Sequence, residues 1–166
     1  MARRRVVITG LGAVSSLGMD FGSTWDNLLR GMSGAGPITK FDTAKHSCKF
    51  ACEVWGFDAE KYFPRIESKR LDLFTMFYLI AADEAMKASG LDLGKEDRTR
   101  AACILGTGIG GIHEIEASKV LQRERGADRV SPFFIPKIMA NAMAGQAAIR
   151  FGLLGTCYVT SSACAS

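Results

Sequence analysis

The sequence predicts an α/β fold with a mainly parallel or mixed sheet. Short apolar runs recur at residues 4–11, 101–105 and 156–160, the first two running into glycine turns and the third into small residues. Between them lie stretches whose apolar residues fall at three- and four-residue spacing. Strand-like and helix-like segments thus alternate along the chain.

The 166 residues suit one domain, residues 1–166, with a real core. A 48% hydrophobic and 23% charged content is that of an ordinary globular chain, not a disordered one. Net charge is only +4, and no basic stripe with interleaved aromatics appears, so no nucleic-acid partner is expected. Five cysteines, at 48, 52, 103, 157 and 164, form no disulfide framework and fit a reducing, cytoplasmic compartment. Arg3-Arg4-Arg5 before Val6-Val7-Ile8 imitates a signal peptide, but Thr9-Gly10 cuts the apolar run at once. No stretch is long enough to span a bilayer, and no membrane association is expected.

Taken in order, Arg4 to Leu11 reads as a buried strand that ends in the Gly10-Leu11-Gly12 turn. Thr24 is a plausible N-cap for a short helix, Trp25 to Arg30, which Gly31 stops. Ser33 to Pro37 is turn-rich, and Phe41 to Phe57 looks extended and irregular. Ser68 to Ser89 is the strongest helix, with Leu71, Phe74, Phe77, Tyr78, Ala81, Ala85 and Ala88 on one periodic pattern and Gly90 as its stop. Ala101 to Leu105 is a second buried strand, running into Gly106-Thr107-Gly108-Ile109-Gly110-Gly111. A polar helix follows from Ile112 to Arg125. Pro136 suits the first turn of a small-residued, buried helix running to Phe151, with Gly152 past its end. A third strand, Thr156 to Thr160, leads into Ser161-Ser162-Ala163-Cys164-Ala165-Ser166.

That last stretch has the chemistry of a nucleophile elbow: a strand, then very small residues around one thiol at a sharp turn. Small neighbours leave room for both the turn and the substrate. A helix N-terminus beside the sulfur would favour the reactive thiolate. Cys164 therefore reads as a nucleophile or, taken alone, as a core cysteine. Cys103 and Cys157 sit within strands and read as buried core thiols. The two glycine-rich turns invite a dinucleotide reading, but the first gives G-x-G-x-x-S and the second G-x-G-x-G-G, so tight turns at strand ends are the plainer account. His46, Cys48 and Cys52 match no common zinc spacing and read as an ordinary extended segment. His113, at the start of a polar helix, reads as a solvated side chain. Arg65, Lys69 and Arg70 cluster where the macrodipole of the long helix disfavours cations, which hints at an acidic partner.

Arg5 to Gly18, Gly106 to Gly111, Ser131-Pro132-Phe133-Phe134-Ile135-Pro136 and Ser162 to Ser166 occur in the order and spacing of the β-ketoacyl-acyl-carrier-protein synthases. The chain resembles the synthase II type over essentially its whole length. The resemblance implies a thiolase fold, the N-terminal half of a five-layer αβαβα sandwich, usually a homodimer. It implies that Cys164 accepts an acyl chain from the phosphopantetheine of acyl carrier protein, without cofactor or metal, for decarboxylative Claisen condensation with malonyl-carrier. Ile109 and Phe134 match acyl-pocket positions, Phe134 reaching across the dimer. Lys69 and Arg70, with Arg65, match the patch that receives the acidic carrier protein. Ser162 stands where many relatives have Thr. The family's catalytic histidines, lysine and second oxyanion donor lie in its other half, and neither His46 nor His113 matches them. The competing expectations are a fragment that dimerises or docks carrier protein without turnover, and a nucleotide-binding oxidoreductase.

Overall fold

The computed structural model describes residues 4–166. Residues 1–3, where the basic N-terminal run begins, lie outside the described residues. The chain divides into two compact units, Met1–Asp58 with Ile80–Leu91, and Ala59–Leu79 with Asp92–Ser166.

In the first unit, α1 spans Phe21–Leu29. Its N-cap is Asp20, whose carboxylate accepts from the Ser23 N–H at 2.7 Å. The expected cap, Thr24, lies inside the helix and shares a hydroxyl hydrogen bond with Ser15 instead. A carboxylate at position 20 satisfies the orphan first-turn donors, so the helix starts earlier than its apolar pattern suggests. Two short antiparallel strands, β1 (Gly36–Pro37) and β2 (Phe50–Ala51), hold the irregular region.

Arg4 to Leu11 forms no strand. Val6 is 91% and Ile8 82% exposed, and no described residue offers this run a ladder partner. A β-rich run becomes a strand only where a neighbour takes its N–H and C=O groups. The glycine turn that follows serves close packing. A Cβ on Gly12 would lie 1.9 Å from the Ala81 carbonyl oxygen, and one on Gly10 2.1 Å from that of Ala85. Glu84 fixes the same loop, its carboxylate accepting from the N–H groups of Ala13 at 3.0 Å and Phe21 at 2.8 Å.

In the second unit, the expected helix from Ser68 begins as two pieces, α2 (Arg65–Ser68) and α3 (Leu73–Ser89), the latter continuing into the first unit from residue 80. Buried Asp72 separates them, its carboxylate accepting from the Phe74 N–H at 3.3 Å to start α3 afresh. Leu71, Met76 and Leu79 join Phe63, Met143, Ala144 and Ala147 in the core of this unit. Strand β3 (Cys103–Gly106) pairs in parallel with β4 (Cys157–Thr160), in the register Cys103↔Cys157 to Gly106↔Thr160. The polar helix α4 spans Ile112–Arg125.

The helix expected from Pro136 to Phe151 is broken into α5 (Phe134–Ile138) and α6 (Ala142–Phe151). The Ile138 carbonyl, which an unbroken helix would give to Ala142, accepts the Gly111 N–H at 3.3 Å, while the Ala142 N–H turns to Met139 at 3.0 Å. α6 packs on both strands through one face and exposes Ile149, so it is amphipathic rather than buried all round.

Candidate active site

Strands β3 and β4 run side by side in one direction, so the segments leaving their C-terminal ends emerge together. β3 releases the loop Gly106 to Gly111, and β4 releases Ser161 to Ser166. The two are tied by backbone and side chain. The Thr107 N–H donates to the Thr160 carbonyl at 3.0 Å. The Ser166 hydroxyl donates to the Thr107 carbonyl at 2.9 Å while accepting from the Ser162 N–H at 2.7 Å.

Between Ser162 and Ser166 the backbone turns through a single 3₁₀ turn, Ala163–Ala165. Ala163 has φ 50°, the only positive φ of a non-glycine residue among the described residues. A left-handed alanine costs about 1–2 kcal/mol. That strain sits on the residue before Cys164, whose side chain is exposed. Strained backbone, small neighbours and an accessible thiol after a strand are the features of an elbow. Among the described residues no group hydrogen-bonds the Cys164 thiol.

The glycine loop also seats α5. A Cβ on Gly111 would fall 2.5 Å from the Lys137 carbonyl oxygen and 2.8 Å from Ile138 Cα, contacts that only a missing side chain permits. Gly106 is equally tight against Ser166, at 2.6 Å from its carbonyl carbon. Gly108 lies beside Ala163, where a Cβ would be 3.8 Å from the carbonyl oxygen. One loop therefore touches both the Cys164 turn and the helix that carries Phe134. Ile109, on that loop, is 64% exposed, and Phe134 is half-buried. Lys137 and Glu114, both largely buried, form a short ion pair between α5 and α4, and Glu114 also accepts from the Ser118 hydroxyl at 3.3 Å.

Residues 3–166 match the family model "Beta-ketoacyl synthase, N-terminal domain". The chain belongs to the β-ketoacyl synthase family. It is 40% identical over 164 residues to 3-oxoacyl-[acyl-carrier-protein] synthase 2 of Vibrio cholerae, covering 99% of this chain and 40% of that protein. It superposes on the ishigamide ketosynthase/chain length factor with TM-score 0.84 at 28% identity, over 96% of this chain and 40% of that one. A structure titled as a type II PKS acyl-carrier protein in complex with its ketosynthase gives TM-score 0.70 at 23% identity, over 95% of this chain and 41% of that one, a likeness of fold alone. The thiolase-type α/β fold expected from the motifs is thus the fold of this synthase chain. The chain spans 40% of the length of the curated relative it matches.

Within this synthase chain the three basic residues stand apart from one another in role. Arg65 opens α2 and reaches Glu60 at 3.8 Å. Lys69 caps the C-terminal end of α2, and Arg70 lays its guanidinium 4.9 Å over the Phe133 ring. The break before α3 removes the expected conflict with a macrodipole, since Lys69 and Arg70 precede α3 rather than occupy its first turn. Sequence reasoning missed the Arg70–Phe133 stack, the Ser166 bridge and the Glu114–Lys137 pair. Only Ser166, small and polar beside the thiol, carried any local signal. His113 is exposed on α4, and His46 leans on Phe41 at 5.2 Å. No cluster of three or more His, Cys, Asp or Glu among the described residues could hold a metal. Cys157 is exposed, against the expectation of a core thiol, while its register partner Cys103 is buried as expected, so the cover over the sheet reaches β3 and leaves Cys157 on β4 open. No helix among the described residues is long and apolar enough to cross a membrane.

Proposed function

We propose that this chain is the nucleophile-bearing part of a condensing acyltransferase of fatty-acid or polyketide synthesis. The supporting observation is the Cys164 turn: a strained alanine places an exposed thiol at the end of β4, against the glycine loop of β3, in a chain of the synthase family. In this reading the Cys164 thiolate attacks the thioester carbonyl of an acyl carrier protein. The carrier's phosphopantetheine thiol leaves, and the acyl group remains on Cys164. Malonyl-carrier then loses carbon dioxide, its carbanion attacks the Cys164 thioester, and the thiolate is regenerated as the new carbon–carbon bond forms. The Cys164 N–H is one donor to the oxyanion.

Ile109 and Phe134 line the acyl chain's path; the loop that carries Ile109 packs against the C-terminal end of α5, the helix that carries Phe134. Lys69 and Arg70, with Arg65, receive the acidic carrier protein. A homodimer and a cytoplasmic setting belong to the same proposal, and no cofactor, metal, nucleic acid or membrane enters it. A second reading is carrier docking or dimerisation without turnover. It draws on the absence, among the described residues, of any base bonded to the Cys164 thiol.

The test is intact mass after incubation with an acyl-carrier thioester and, separately, with cerulenin, beside a Cys164→Ala control. One acyl or cerulenin adduct that the control lacks supports the acyltransferase reading. Carrier binding without any adduct supports docking alone.

A further inference from the structure

Two further cysteines face each other across the sheet. Cys103 and Cys157 are paired neighbours in the parallel register of β3 and β4. Registered residues of a parallel pair project to the same face, so both thiols lie on one side of the sheet. Cys103 is 4% exposed, while Cys157 is open to solvent, so a reagent can enter from the Cys157 side. The Tyr78 hydroxyl reaches the Cys103 sulfur at 3.7 Å. Burial, chiefly, raises the pKa of the Cys103 thiol. None of the three belongs to the Cys164 turn.

Strand spacing decides what such a pair can do. Adjacent strands lie about 4.8 Å apart, and Cβ atoms standing off the sheet keep that separation. A disulfide wants its Cβ atoms about 3.5–4.5 Å apart, so direct closure would pull the ladder together. A single soft atom bonded at about 2.3 Å to each sulfur in a bent unit holds the sulfurs about 3.5 Å apart, a separation that side-chain rotation reaches from Cβ atoms about 4.8 Å apart without moving either strand. Two thiolates and a phenol, with no third Cys, His or carboxylate converging, suit a low-coordinate soft centre rather than tetrahedral zinc.

We infer that Cys103 and Cys157 form a cross-strand dithiol site that chelates a soft thiophilic centre, of the class of trivalent arsenicals, with the Tyr78 hydroxyl beside it. With an arsenoxide the two S–H bonds and the arsenic–oxygen bond break, two arsenic–sulfur bonds form, and the oxygen leaves as water with both protons. No oxidation state changes.

The probe is phenylarsine oxide, added to the chain and followed by a wash in excess 2-mercaptoethanol, which strips single-thiol adducts and leaves chelates. The readout is intact mass. One arsenical per chain is expected to survive in the parent, in Cys164→Ser and in Cys48→Ser/Cys52→Ser, and to be released by dithiothreitol. It is expected to vanish in Cys157→Ser and in Cys103→Ser. Cys157→Ser alters an exposed side chain and serves alone if the buried variant does not fold. No retained arsenical in the parent would overturn the inference. So would retention in either single variant, which is what an unfolded chain with interchangeable thiols would give.

Discussion

Gly111→Ala is the sharpest perturbation of the site's framework. The added Cβ meets the Lys137 carbonyl oxygen at 2.5 Å and Ile138 Cα at 2.8 Å, both main-chain atoms of α5, so no side-chain rotation relieves the clash. The loop must back away from α5 by several tenths of an ångström. That movement stretches the Gly111–Ile138 hydrogen bond, already 3.3 Å long. Overpacking of this kind costs about 1–3 kcal/mol, and weakening the backbone bond adds up to about 1 kcal/mol. A loss of about 2–3 kcal/mol follows, worth roughly 5–10 °C in melting temperature for a chain of this size. Urea unfolding followed by circular dichroism measures it, with an unchanged m-value as the check on two-state comparison. Gly145→Ala is the internal control. It lies within α6 and has nothing within 4 Å of the added carbon, so it should stabilise by about 0.5–1 kcal/mol. If Gly111→Ala came within 0.5 kcal/mol of the parent, the close loop–α5 contact would be refuted as the reason for glycine there.

Three other outcomes are expected. Lys69→Glu with Arg70→Glu should weaken carrier-protein binding more than tenfold at low salt, with the difference shrinking as salt rises; fluorescence anisotropy at two ionic strengths reads it, and a salt-independent change would contradict an electrostatic patch. Lys137→Ala strands the largely buried Glu114 carboxylate and should cost roughly 3 kcal/mol in urea unfolding, whereas an exposed pair would cost under about 1. At alkaline pH, burial and then the bond to Cys103 hold the Tyr78 phenol well above its usual range, and burial raises the Cys103 thiol. Both groups are neutral when protonated, so the unfolded chain ionises first. Their stabilisation is whole below about pH 8.5 for the thiol and about pH 10 for the phenol, and is lost as pH rises further. Tyr78→Phe should flatten that alkaline decline, and superimposable pH–stability curves would count against it.

The sequence made plain those features set by local chemistry. α4 begins and ends where its polar pattern and flanking glycines place it, and β3 and β4 follow their apolar runs closely. The Ser162 to Ser166 composition pointed to the turn that holds Cys164. What stayed hidden depends on partners distant in the chain. Val6 to Ile8 has a strand's composition, but pairing, not composition, makes a strand. Asp20 and Asp72 outrank Thr24 and Ser68 as helix starts because their carboxylates meet backbone donors, which a reading of apolar spacing ignores. The α5–α6 break arises because Gly111, more than twenty residues earlier, takes the Ile138 carbonyl. Cys157 looked like a core residue because its strand reads as apolar, yet exposure is decided by what packs over the strand, and Cys103 in the same register is covered where Cys157 is not. The elbow's alanine strain has no sequence signature at all.

The parallel pairing of β3 and β4 also bears on how the site comes into being. β3 waits for a partner about fifty residues further along, and the intervening chain contains α4, α5 and α6. Closing so long a loop is entropically costly until those helices have condensed, and parallel pairings form slowly for the same reason. The turn at Cys164 hangs from β4, so it can assume its geometry only once that closure is made. During refolding, the appearance of the thiol's native reactivity should therefore lag behind helix formation. That lag makes Cys164 a clock for the last step of assembly.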